Sequence, residues 1–176
     1  MAFFRGRQPE FSLEKRFRSG IDGFTFVKEG DHYAAHVVAN AERVVDLFHA
    51  LSEHLPPAVD VALADERTGQ RWKGEAVALP DVREGVARLK VLLAGHGGVE
   101  FAIYTSEDQL TLNAAIELFI YARTDQWLYI LQGKGLEERR ALRTKSWKLS
   151  RRKFPPAPAL VQAVVETATR LGLALE

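Results

Sequence analysis

The chain has 176 residues, 47% of them hydrophobic, a net charge of +1 and no cysteine. That length fits one domain with a core of its own, while the missing thiols exclude a disulfide framework, a thiolate metal site and a cysteine nucleophile. No stretch reaches ~18 uninterrupted apolar residues, and the opening MAFFRGRQPEF lacks the apolar core of a signal peptide, so the expected setting is cytoplasmic with no membrane span.

Residues 1–22 read as an N-terminal arm, in which Phe3, Phe4, Phe11 and Phe17 alternate with Arg5, Arg7, Lys15, Arg16 and Arg18. Such a segment docks rather than folding alone. An α+β core is expected over 23–135. It begins with a strand near Phe24–Lys28, paired with Tyr33–Val38 across Glu29-Gly30-Asp31.

The first helix follows Asn40, a side chain suited to an N-cap, and carries Val44, Phe48, Leu51 and Leu55 on one face. Pro56 and Pro57 end it. A strand over Val59–Leu63 comes next, then the turn Glu66-Arg67-Thr68-Gly69, then a strand over Arg71–Leu79. A second helix repeats the first at an offset of 38 residues, with Val82, Val86, Leu89 and Leu93. Asp81 and Glu84 have the spacing of a capping box, and Gly95, Gly97 and Gly98 close the helix. The strand Val99–Thr105 completes a second βαβ unit. The two units predict a ferredoxin-like antiparallel sheet with both helices on one face. The alternative is a highly curved antiparallel sheet wrapped around a helix.

Further alternation at Leu110 and Leu112, at Leu118, Ile120 and Ala122, and at Trp127, Tyr129 and Leu131 predicts additional strands. The last two form a hairpin across Arg123-Thr124-Asp125-Gln126. Leu136 to about Lys145 is expected to be helical, with Glu137 and Glu138 at its start. Phe154-Pro155-Pro156-Ala157-Pro158 is an extended connector. A final helix from about Ala159 to Leu171 turns Leu160, Val164, Ala168 and Leu171 to one side. That stripe predicts packing on the sheet face left bare by the first two helices, or on a second copy of the chain. Residues 136–176 thus form a basic segment, a connector and a helix joined to one domain overall.

The charge is segregated. Arg139–Lys153 holds eight basic residues and no acid; without it, 16 basic residues face 23 acidic ones, a net of −7. Arg139, Arg140, Arg143, Lys145, Lys148, Arg151, Arg152 and Lys153, with Trp147 among them, are the candidate contacts for an acidic partner or a polyanion. A solvated or self-paired basic face is the simpler reading.

No catalytic set emerges. His32, His36, His49, His54 and His96 lack metal-ligand spacing, Gly95-His96-Gly97-Gly98 offers helix C-terminal carbonyls rather than anion-binding N–H groups, and Gly133-Lys134-Gly135 is not a P-loop. The acidic pairs Asp65-Glu66 and Glu107-Asp108 fall in turns, where carboxylates are solvated. Phe119, Tyr121, Trp127 and Tyr129 read as core under the last helix rather than as a base-stacking platform. No cofactor is implied. The expected function is therefore a small non-catalytic binding or regulatory protein acting through protein–protein contact, for instance by masking a partner's site. The alternatives are nucleic-acid binding through 139–153, and a small-ligand domain or enzyme using a cavity between sheet and last helix. Self-association through the C-terminal helix is compatible with each.

Overall fold

A computed structural model describes residues 22–142 and 154–176. The fold is α+β: one antiparallel eight-stranded sheet and, among the described residues, four α-helices. The strands are β1 (Gly23–Glu29), β2 (His32–Val38), β3 (Ala58–Asp65), β4 (Arg71–Ala78), β5 (Val99–Tyr104), β6 (Asp108–Leu112), β7 (Leu118–Ala122) and β8 (Ala174–Leu175). The helices are α1 (Ala41–Leu51), α2 (Leu79–His96), α3 (Gln126–Gly133) and α4 (Pro158–Arg170). The spatial order is β1-β2-β7-β6-β5-β3-β4-β8.

This order corrects the expected grouping. The strands flanking α1, β2 and β3, are separated by β7, β6 and β5, so the two βαβ units do not make a four-stranded sheet of their own. The late strands β6 and β7 pair with β5 and β2 and fill the gap between the units. Nothing local in the sequence dictates a pairing between Tyr33 and Ala122; it follows from joining two amphipathic hairpins into one continuous face.

That face is legible as a row. Phe24, Val37, Leu118, Leu112, Phe101, Leu63 and Trp72 lie side by side, one from each of seven neighbouring strands, and all are buried. The adjacent row holds Ala35, Ile120, Leu110, Ile103 and Val61, also buried. The helices cover these rows. Phe48 of α1 meets Phe101 edge-to-face, with ring centroids 5.6 Å apart. α1 also packs on α2, and Val44, Val45, Phe48 and Leu51 share one buried cluster with Val82, Val86 and Leu89.

Helix starts follow local chemistry. The Asn40 side chain accepts from the Arg43 N–H at 2.9 Å, as its residue type predicts. For α2 the capping-box reading is corrected. The helix begins at Leu79, three residues earlier, with Ala78 at the N-cap and no side-chain cap. Pro80 occupies the first turn, where a missing N–H and a fixed φ cost nothing. The Leu79 N–H is taken by the Pro57 carbonyl at 2.8 Å.

The two largest departures lie after β7. Residues 126–133 are helical, not a strand. Trp127 and Leu131 satisfy both a two-residue and a four-residue period, and both are fully buried; Tyr129 between them is 62% exposed, which only the helix explains. Residues 136–142 are not helical. Glu137–Arg139 runs as an extended strip beside β1, with the Phe24 N–H donating to the Glu137 carbonyl and the Arg139 N–H donating to the Phe24 carbonyl. Gly23 permits this approach: a Cβ there would sit 2.7 Å from Arg139 Nε and 3.0 Å from the Glu137 oxygen.

The final helix buries its predicted stripe, Leu160, Val164, Ala168 and Leu171, within the same chain. It packs beside α2 and over β3, in the helix layer, and not on the bare face of the sheet. Gly85 of α2 makes room, since a Cβ there would meet Thr167 at 3.2 Å and Leu171 at 3.6 Å.

The α1–α2 seam carries a titratable group. Ser52 Oγ donates to the His49 carbonyl at 2.6 Å and accepts from Arg83 Nε at 3.1 Å. Burial holds the His49 pKa below its ordinary 6.5, and the charges of Arg83 and Lys90 push the same way, against a smaller pull from Asp46. A His whose folded pKa is depressed leaves the unfolded chain binding the extra proton. Its contribution is present above about pH 6.5 and is lost as the pH falls below that value. We therefore expect stability to drop on acidification through the histidine range and H49Q to lessen that drop. Urea midpoints measured at several pH values, with the same acid loss in both proteins, would exclude His49 as its source.

Candidate interaction surface

Of the nine candidate residues in the basic segment, Arg139 and Arg140 are described. Arg143, Lys145, Trp147, Lys148, Arg151, Arg152 and Lys153 lie outside the described residues. Arg139 is already engaged: its Nη2 is 3.6 Å from Glu137 and its Nε donates to the Asp22 carbonyl at 3.2 Å. Arg140 is exposed at a bend where the strip leaves β1.

The helices stand on one face of the sheet, and the opposite face has no described helix on it. Two rows define it. The first runs Thr25, His36, Phe119, Thr111, Ala102, Ala62 and Lys73; the second runs Val27, Ala34, Tyr121, Gln109, Tyr104 and Asp60. Ala102, Ala62 and Thr111 make a floor of small side chains. Phe119, Tyr121 and Tyr104 stand around it, with Tyr121 39% exposed. Charged residues of these rows, Asp60 and Lys73, sit at the β3–β4 margin.

One His–Glu pair also lies on this face. His36 Nε2 lies 3.2 Å from Glu117 Oε2, and the His36 ring stacks on Phe119 with centroids 4.4 Å apart and planes 6° from parallel. Period-two alternation brings His36 to this face, and the β6–β7 turn delivers Glu117. There the Asn113 side-chain oxygen accepts from the Ala115 N–H at 3.0 Å and the Glu117 N–H at 2.9 Å, an Asx-type turn. Ile116 is held at φ 59° inside that turn with its side chain buried, a conformation a β-branched residue adopts only under tertiary constraint. Farther along the face, burial, helped by the Glu100 charge, pushes the Tyr104 phenol up, so it remains a neutral donor.

The aromatic expectation is thus corrected in part. Trp127 is core, beside the turn that follows α1, with the Trp127 and His54 rings near perpendicular at 6.0 Å. Phe119 is half-buried on the helix-free face, whereas Tyr121 and Tyr129 are exposed. The acidic pairs also differ from expectation. Asp65 is buried and accepts from the Arg67 N–H at 2.9 Å, and Asp108 accepts from the Trp127 indole at 2.9 Å.

The glycine loop after α2 has the polarity expected of it. Gly97, at φ 59°, is the C-cap and donates to the Leu93 carbonyl at 2.9 Å. The exposed carbonyls of this helix end are met by a residue the sequence did not single out. Arg67, in the β3–β4 turn, donates from Nη1 to the Gly97 carbonyl at 2.5 Å, from Nη2 to the His96 carbonyl at 2.9 Å, and from Nε to the Pro155 carbonyl at 2.8 Å. Phe154 covers the guanidinium at 5.4 Å. A cation at a helix C-terminus is electrostatically favoured, and here it also clasps the connector that leads into α4.

No group of three or more His, Asp or Glu side chains converges as a metal site among the described residues, and no described helix is long and apolar enough to cross a membrane. Comparison of the chain with protein-family models, curated proteins and solved structures found no match.

Proposed function

We propose that this chain is a small non-catalytic binding or regulatory protein that acts through protein–protein contact, with the helix-free sheet face as its contact surface. The observation that supports the reading is the composition of that face. Three aromatic rings surround a floor of alanines and threonine, His36 and Glu117 are partnered with each other, and Asp60 and Lys73 lie at the margin, engaged with the Ala76 N–H and Glu176. Tyrosine and phenylalanine around a shallow uncharged centre match the core-and-rim composition of protein interfaces. A duplex or single-stranded nucleic acid would instead need a cationic track, and the described residues place none at the centre of this face. Of the residues proposed for nucleic-acid binding through 139–153, Arg139 and Arg140 are described and exposed, and Arg139 has Glu137 beside it.

The test is site-specific photocrosslinking. A benzophenone side chain replaces Tyr121 on the helix-free face or Val91, which is 83% exposed on α2, in the full chain. In lysate of the native cell, the Tyr121 probe is expected to give a discrete adduct at high yield that the Val91 probe does not. Equal adducts from both positions, or none from Tyr121, would remove the sheet face as the contact surface.

A further inference from the structure

The two edges of the sheet are not alike. At one, β4 is met by β8, with Trp72 and Lys73 paired to Leu175 and Ala174, and Glu176 reaching Lys73 at 2.6 Å. Beyond this the edge bends: Ala76 has φ 51° and its N–H turns to the Asp60 carboxylate. The other edge is β1. Phe24 meets the strip through both its outward backbone groups. In an antiparallel strand outward groups recur every second residue, so Phe26 and Lys28 also direct N–H and carbonyl groups away from β2. Among the described residues neither has a backbone partner on that side. Val27 between them is 50% exposed, on the helix-free face.

We propose that β1 pairs antiparallel with β1 of a second copy about a two-fold axis through Val27. Only this register uses both free residues of both copies. Phe26 of each pairs with Lys28 of the other, making four hydrogen bonds, and Val27 faces Val27 across the axis as the non-hydrogen-bonded pair. An axis through Lys28 sets two ammonium groups opposite each other. An axis through Phe26 leaves Lys28 of each copy unpaired, because the strip already holds the outward groups of the Phe24 opposite it. Charge favours the same choice. The chosen register sets Glu29 and Gly30 opposite Thr25 and Phe24 of the other copy, where the strip's Arg139 and Glu138 lie, so the strip shifts outward as the strands pair, and Glu29 and Asp31 come beside Arg139 and Arg140 at both symmetry-related ends. The paired window is short because the strip closes it at Phe24. The dimer is therefore one that forms with rising concentration, not a permanent assembly. The inference concerns the edge and does not depend on the reading of the sheet face above.

The chain lacks cysteine, so V27C carries a single thiol placed on the axis. A non-hydrogen-bonded antiparallel pair sets Cα atoms about 4.5 Å apart, within disulfide reach. T25C lies opposite Glu29 of the other copy, and two such thiols are about 13 Å apart. V91C on α2 measures random collision. Under mild oxidation the full-length V27C chain is expected to form a disulfide dimer about tenfold faster or more than T25C or V91C, the advantage of a pre-formed encounter. V27K, which sets two like charges on the axis, is expected to shift sedimentation to the monomer. Its melting curve is expected to be unchanged, because Val27 is half-exposed in the single chain. Equal crosslinking rates for the three thiols, a protein that sediments as a monomer at every concentration, a dimer that V27K leaves intact, or V27C captured only by a different protein would each overturn the proposal.

Discussion

Trp127→Ala is expected to lower the unfolding free energy by about 4 kcal/mol, the upper part of the range for truncating a buried aromatic. Trp127 is among the largest fully buried side chains and anchors α3, whose other buried residue is Leu131. Two effects add. An alanine methyl leaves most of the indole's volume empty, and Asp108 loses the N–H that its carboxylate accepts from. Trp127→Phe separates them by keeping most of the ring and removing the donor; about 1–2 kcal/mol is expected. Urea unfolding with fluorescence from the two remaining tryptophans, or circular dichroism, reads both values. A loss under about 1 kcal/mol for the alanine variant would mean that α3 does not hold its position through this side chain.

The second large effect is expected at the Arg67 clasp. Arg67→Ala removes three hydrogen bonds from a cation to backbone carbonyls and uncovers the Phe154 ring. Because the guanidinium is only partly buried, water can replace some of these, and about 2–3 kcal/mol is the expected loss. Gly98→Ala reaches the same clasp from the other side. Gly98 has φ +83°, and a Cβ there would fall 2.4 Å from Arg67 Nη1 and 3.0 Å from the Phe154 ring. The backbone penalty and the displaced guanidinium together predict a loss of about 2–3 kcal/mol. Since each substitution breaks the same contacts, the double variant should lose clearly less than the sum. Arg67→Lys should restore little, because an ammonium cannot span three carbonyls in a plane. Hydrogen exchange supplies the local readout: amides of α4 should lose protection before those of α1. Uniform loss across the molecule, or additive energies in the double variant, would show that the clasp is not a unit.

Some of this architecture was legible from residue pattern alone. The stripes of α1, α2 and α4 are interpretable because a helix in a helix layer must present one apolar face, and Leu160, Val164, Ala168 and Leu171 do so without ambiguity. The hairpin at Gly30 and the turn at Gly69 are marked by residues that tolerate positive φ. What was not legible has a common cause. The order of strands depends on which hairpins meet, and neither Tyr33 nor Ala122 carries a mark of its partner. Trp127 and Leu131 fit two periods at once, and only the exposure of Tyr129 decides between them. Arg67 was missed because its acceptors are main-chain oxygens, which no residue type announces. A bare sheet face was expected, but that the last helix leaves it uncovered was missed for a related reason: a residue half-covered by its strand neighbours, such as Phe119, has the same type as one under a helix. The basic run, prominent in the sequence, contributes one engaged arginine and one exposed one to the described structure.

The unequal edges of the sheet bear on how far association can go. A sheet with two receptive edges can add copies without end, as in fibrils. Here β8 and the kink at Ala76 obstruct one edge. Addition at β1 uses up the receptive edge of both participants at once. Growth by the proposed strand pairing is consequently self-terminating at two, so that pairing would keep an exposed backbone edge from becoming a polymerisation hazard.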